Sequence, residues 1–538
     1  MTLSRSSSVI IVSLPEAAQG FRRKGWLPVP NTDWHGVACL VALVLQAFLE
    51  ILISVLTAPF RKIQETPVVT CVEDNDNTSV LQAMPSLRKF VPTWWALGPF
   101  AQTVANGSRA VKNATPYTRE LTVMSDGVAV ALDWKTVDPA LPPDAPLVVV
   151  CHGLGGHSRT NSCNGVTEAL ARRGWRVVVY NRRGHGGSSL LASDTATATA
   201  TAYRHAAANS STRRASEGDE GGEDSAPSIG GDATPTPTPR GTIRPIPGTG
   251  TSPSPSSSSG PVRGAAVSPQ VVGRCVLSVK AFPAHVDLDD LRRVVSHVQS
   301  RYPAAPKALV GLSAGSNLVV RFQGDCAEES PFVAAASIAN GHELTHLTRA
   351  LLRKPLTDLM LVKFLKEVLY DRFEEVQSLA AAAGVVLDWP RLLAARRIRE
   401  FEGALTAPLW GFKHVDEYYT ANHCCESFKH IRAPLLSLAN ADDPVIDQAL
   451  IRYAQEAARV NRHIISVATV RGGHLGWLAG TTARPWMHDV LTEFLSHAFS
   501  RQGGAGRAVA GASDTRGDEG YGVALPPENA ECPLPERN

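Results

Sequence analysis

Gly311-Leu312-Ser313-Ala314-Gly315 follows the apolar run Lys307-Ala308-Leu309-Val310 and precedes Asn317-Leu318-Val319-Val320-Arg321. In order, these segments read as a short buried strand, a tight turn and a helix. A serine on such a turn projects its hydroxyl above the sheet. Small neighbours are required there, because the strand and helix backbones approach closely and the serine's own dihedrals are strained. An ordinary turn would use the same residue types, so the flanking sequence decides between the two.

Upstream, Pro146-Leu147-Val148-Val149-Val150-Cys151 has the pattern of a buried strand and runs into His152-Gly153-Leu154-Gly155-Gly156. Backbone N–H groups in a loop of this kind can point at a developing oxyanion, with Leu154 and Ala314 as the two donors. Downstream, the apolar strand Pro434–Asn440 leads into Ala441-Asp442-Asp443-Pro444-Val445, and Ile464–Thr469 leads into Gly472-Gly473-His474-Leu475-Gly476. The chain order is therefore Ser, Asp, His. That is the order of α/β-hydrolases and differs from those of the chymotrypsin and subtilisin types. His474 would take the proton of Ser313 as general base and return it to the leaving alcohol as general acid. The acid that orients it is Asp442 or Asp443, in a stretch that also favours a plain turn.

Phe90-Val91-Pro92-Thr93-Trp94-Trp95, Gly98-Pro99-Phe100-Ala101-Gln102-Thr103, Tyr117-Thr118-Arg119-Glu120 and Asp126–Trp134 precede these motifs, and Tyr180-Asn181-Arg182-Arg183-Gly184-His185-Gly186-Gly187-Ser188 lies between them. With these motifs the chain resembles, to about residue 500, the AB hydrolase 4 family of the AB hydrolase superfamily, the abhydrolase-domain-containing membrane esterases and lipases. The resemblance implies a serine esterase or lipase that acts on carboxylic esters of lipids through an acyl-enzyme, with no cofactor and no metal. Its spacing, seen here as Asn440-x-x-Asp443, selects Asp443 over Asp442. Two departures stand out. Ser316 replaces the family's usual glycine and is expected to loosen the elbow slightly, and a long insertion follows Ser189.

At 538 residues, 44% hydrophobic and 19% charged, the chain can bury one large core and still carry extra segments. A net charge of +3 gives no strong bias toward nucleic acid. The nine cysteines form neither CxxC pairs nor a disulfide framework. Gly36 to Phe60 is apolar and long enough to cross a bilayer, flanked by Arg22-Arg23-Lys24 and Arg61-Lys62. Gln46 and Glu50 interrupt it, so a helix lying on the membrane or covering the enzyme is the alternative to a single span.

The expected fold class is α/β: an α/β-hydrolase with a helical cap, an N-terminal membrane helix and a long disordered insertion. Its parts are a tail (1–35), the helix (36–60), a first core segment (85–190), the insertion (191–270), a core segment with the elbow (271–340), the cap (341–430), a core segment with acid and histidine (431–502) and a disordered tail (503–538). The insertion holds Thr-Ala, acidic-Gly, Thr-Pro and Ser runs that cannot bury enough apolar surface to offset ordering entropy. Leu351-Leu352, Leu356, Leu359-Met360, Phe364-Leu365 and Val368-Leu369 recur at helical spacing, either as a cap that shapes an acyl pocket or as a plain packed layer. The expected partners are a lipid or small ester and the membrane.

Three further patterns compete. His342-Glu343-Leu344-Thr345-His346 is literally HExxH, with Glu367 placed as a third zinc ligand. It begins, however, where a hydrolase already accounts for the segment. His285 and Asp290 match a His-x4-Asp pattern associated with acyltransferases, while Asp287, Asp289 and Asp290 also suit a helix N-terminus. Sequons stand at Asn77, Asn106, Asn113 and Asn209.

Overall fold

The computed structural model describes residues 34–57, 63–192, 271–272, 275–276 and 285–503. The expected disordered insertion and C-terminal tail lie, except for their edges, outside these residues, as do nearly all of residues 1–35.

Nine strands form one sheet: β1 (Val68–Thr70), β2 (Thr118–Val123), β3 (Ala129–Lys135), β4 (Leu147–Cys151), β5 (Arg176–Asn181), β6 (Lys307–Leu312), β7 (Ala334–Ile338), β8 (Leu435–Asn440) and β9 (Ile464–Thr469), in the order β1-β9-β8-β7-β6-β4-β5-β3-β2. From β5 through β9 the pairings are parallel, and β1, β2 and β3 add antiparallel edges. All six parallel strands are buried along their whole length. Their near-continuous Val, Leu, Ile and Ala content is what a sheet covered on both faces requires.

The covering helices are α1 (Trp34–Thr57), α2 (Asn75–Gln82), α3 (Pro99–Gly107), α4 (Asn161–Ala171), α5 (Leu288–Arg301), α6 (Ala314–Cys326), α7 (Leu344–Leu351), α8 (Pro355–Asp371), α9 (Phe373–Ala382), α10 (Trp389–Ala394), α11 (Ile398–Ala404), α12 (Thr406–Leu409), α13 (Val415–Asn422), α14 (Ile451–Val460) and α15 (Trp486–Gly503). Side chains of β4 alternate between two cores. Val148 and Val150 pack with Val166 and Leu170 of α4 and Val490 and Phe494 of α15, whereas Leu147 and Val149 pack with Leu291 and Val295 of α5 and Leu318 of α6.

Helices α7 to α13 enter between β7 and β8 and build a third core around Leu361, Leu365, Leu369, Leu379, Leu392 and Phe401. Leu190, Val445 and Ile446 from the hydrolase body pack into it, with Leu154 against its edge. Because it touches the loops that carry Leu154 and Asp443, this block is a cap rather than a remote layer.

The core begins before residue 85, the expected boundary. β1 pairs antiparallel with β9 through Val68↔Ala468, and Val80 of α2 is buried against the sheet. Three residues are too short to show a period of two, so only the pairing reveals β1.

Candidate active site

Ser313 lies between the end of β6 and the start of α6 with φ 53° and ψ −119°, a backbone conformation that L-residues rarely adopt. Glycine is needed on both sides of it. A Cβ on Gly311 would stand 2.5 Å from Gly315 O, and one on Gly315 would stand 2.7 Å from His152 O. Ser316 reverses the expectation of a looser elbow. Its hydroxyl oxygen sits 2.7 Å from Gly311 O and 2.8 Å from Ile338 O, and it accepts the N–H of Ile338 at 2.8 Å. The side chain ties the ends of β6 and β7 together beneath the turn.

The three sequence-predicted side chains meet. His474 Nε2 is 2.9 Å from Ser313 Oγ, and His474 Nδ1 is 2.9 and 3.1 Å from the two carboxylate oxygens of Asp443. Asp443 is buried and its Oδ1 also accepts from Val445 N at 2.7 Å and Ile446 N at 2.9 Å, which fixes the carboxylate. Asp442 turns elsewhere and accepts from Gly473 N at 2.9 Å. Burial, reinforced by the neighbouring Asp443 carboxylate, pushes Asp442 up to about 7.

Gly153 lies against the serine, since a Cβ there would be 3.1 Å from Ser313 Cβ. Among the described residues, Leu154 N–H and Ala314 N–H meet no acceptor. His152 shapes their loop, with Nδ1 2.8 Å from Gly153 O and Nε2 accepting Arg182 N–H at 3.1 Å. Burial holds His152 well below the usual histidine range, and this donor–acceptor pair of contacts needs the neutral ring. Over the loop stands the cap, with Phe364 of α8 against Gly155.

The histidine loop is held by residues of α3 that are not among the expected site residues. Gly473, Leu475 and Trp477 all have φ between 43° and 60°. Thr103 Oγ1 accepts His474 N–H at 2.8 Å, Asn106 donates to Leu475 O at 2.7 Å, and Gln102 accepts Leu478 N–H at 2.6 Å. Asn440 donates to Gly473 O at 2.8 Å. Gln102, Thr103 and Asn106 all belong to α3, more than 360 residues away in sequence. Gln102 and Thr103 stand within the Gly98–Thr103 stretch that carries the family resemblance, which marks them without saying what they hold.

Residues 146–476, more than half of the chain, match the family described as alpha/beta hydrolase fold. The chain belongs to that family. Among curated relatives, this hydrolase is 24% identical to mouse phospholipase ABHD3 over 76% of its own length and 78% of the relative's. It is 29% identical to the embryogenesis-associated protein EMB8 of Picea glauca over 38% of its own length and 45% of the relative's. With the Saccharomyces cerevisiae monoacylglycerol lipase the identity is 24%, over 38% and 46%. The hydrolase thus spans less than half of the last two, and most of the first.

The competing motifs are used differently. In HExxH the helix begins only at Leu344, and Glu343 is its N-cap, accepting from Thr345 N at 3.0 Å and His346 N at 2.6 Å. His342 precedes the cap at φ 46°, and burial lowers its pKa to about 3. The two histidines therefore do not share a helical face, as the zinc arrangement requires. His285 Nε2 lies 2.9 Å from Glu402 Oε1 of the cap, while Asp290 pairs with Arg183 at 2.5 Å. Asn77 and Asn106 are buried amides, Asn77 donating to Val72 O at 2.9 Å. Asn113 is exposed, and Asn209 lies outside the described residues.

Proposed function

We propose that this hydrolase cleaves carboxylic esters of lipids by a Ser313-His474-Asp443 triad through an acyl-enzyme. The contact of His474 Nε2 with Ser313 Oγ at 2.9 Å, backed by Asp443 on the opposite ring nitrogen, carries the reading. The imidazole removes the hydroxyl proton as Oγ attacks the ester carbonyl, then delivers it to the departing alcohol. Asp443 keeps the tautomer and stabilises the imidazolium. Leu154 N–H and Ala314 N–H receive the negative charge on the carbonyl oxygen, and water repeats the cycle on the acyl-enzyme. No step requires a metal or a cofactor.

The lipid class of substrate is supported by relatives named phospholipase and monoacylglycerol lipase, and by α1. Residues 38–57 are long and apolar enough to cross a membrane, with mean hydropathy 2.5. Their outer face presents Leu45 at 63%, Phe48 at 64% and Leu56 at 65% exposure, which suits contact with lipid.

The test is hydrolysis by the purified full-length protein of a panel of phospholipids, monoacylglycerols and short water-soluble esters. Free fatty acid should be released from at least one lipid class, and Ser313→Ala should release none. Cleavage of the soluble esters alone would contradict the lipid assignment.

A further inference from the structure

Glu50, the charge that interrupts the apolar helix, is used inside the protein. Its carboxylate accepts Ala101 N–H at 2.8 Å, in the first turn of α3, and Ser54 one turn later accepts Leu97 N–H at 3.1 Å. A carboxylate at a helix N-terminus answers otherwise unpaired N–H groups and the positive end of the helix dipole. The approach is close enough to require a glycine. A Cβ on Gly98 would stand 2.7 Å from Glu50 Cβ, although φ of −84° at Gly98 suits any residue. Toward its start, α1 also meets the cap, where Cys39 Sγ donates to Leu356 O of α8 at 3.1 Å.

From the juxtaposition of Glu50, α3 and the histidine loop, we infer that α1 is a positioning element of the active site as well as a membrane segment. Glu50 and Gly98 seat α3 so that Thr103 holds His474 in line with Ser313. The chain of contacts is short: Glu50 to Ala101 N, two residues along α3 to Thr103, then Thr103 Oγ1 to His474 N at 2.8 Å. The loop it restrains carries left-handed backbone at Leu475 and Trp477, and such backbone at non-glycine residues persists only where its surroundings impose it. Displacing α1 shifts α3, and a shift of even part of an ångström at His474 is felt at the reacting atoms. The exposed apolar face of α1 would then lie in lipid while its polar contacts face the enzyme.

This inference rests on His474 being the base toward Ser313, which labelling and turnover of wild type against Ser313→Ala and His474→Ala establish separately. It is tested on full-length protein in detergent micelles with p-nitrophenyl butyrate, a soluble ester that does not depend on membrane access. Gly98→Ala should lower kcat by about tenfold with KM within about twofold, and slow fluorophosphonate labelling in proportion. Thr103→Val should do the same, and Thr103→Ser should restore most of the loss. In the double variant Glu50→Gly with Gly98→Ala, the second change should add little, because the side chain it displaces, Cβ included, is gone. Should Gly98→Ala not fold, Glu50→Gln and the Thr103 pair make the same comparison. Values of kcat within twofold of wild type for folded Gly98→Ala and Thr103→Val would overturn the inference, as would full additivity in the double variant.

Discussion

Asp442 and Asp443 are neighbours with separate tasks. Asp443 faces His474 Nδ1, and Asp442 holds Gly473 N. Asp443→Asn should therefore lower kcat by on the order of 10⁴-fold, since the amide favours the wrong imidazole tautomer. Asp442→Asn keeps an acceptor for Gly473 and should cost less than about tenfold; the reverse ranking in steady-state kinetics would move the acid by one residue. Asp442 also gives a sign for stability. Its carboxyl rises from an ordinary 3.8 to about 7 in the folded protein, so folding favours its protonated form. That contribution is complete below pH 4 and is lost as pH rises through 7. Asp442→Asn, which cannot ionise, should gain thermal stability relative to wild type between pH 5 and 8, by a few kcal/mol at most. An unchanged difference in Tm across that range would show that Asp442 titrates normally. At Ser316, replacement by Ala removes the acceptor of Ile338 N–H in a buried site, and chemical denaturation should show a loss of about 1–3 kcal/mol. A gain instead would restore the view that serine loosens the elbow.

At the level of elements, strands and elbow were legible because their signals are local. β9 at Ile464–Thr469 follows the apolar run residue for residue, and Ser313 announces itself by the glycines that backbone crowding demands. Residues whose role is a contact across the fold were not legible. Thr103 and Gln102 stand in a stretch that carries the family resemblance and Asn106 in a sequon, but nothing there tells that they hold the histidine loop, and β1 is too brief to carry a period. Glu343 shows the converse hazard, a motif-like spacing that local helix chemistry accounts for as an N-cap. Every proposed site residue lies outside 193–270, with β5 and the anchored Leu190 before it and α5 after it. We propose that the segment is dispensable. Replacing residues 195–265 by a short Gly-Ser linker should leave kcat with a soluble ester within about twofold, because closing a long loop and a short one differ by only a few kcal/mol. Loss of folding or of turnover would make the segment part of the enzyme.

Taken as a whole, Ser313, His474 and Asp443 meet between the sheet and a cap whose core reaches the loops that carry Leu154 and Asp443. An apolar helix rests one face on the enzyme and leaves the other bare. Net charge of +3 supplies little steering of its own, so apolar contact would bring substrate and enzyme together. All of this depends on Ser313 being the nucleophile. The most direct measurement is fluorophosphonate labelling of the purified full-length protein, with the modified peptide located by mass spectrometry. One label per chain is expected, on Ser313, absent from both Ser313→Ala and His474→Ala while those proteins remain folded. Labelling that persists in folded Ser313→Ala, or no labelling of the folded wild type, would contradict it.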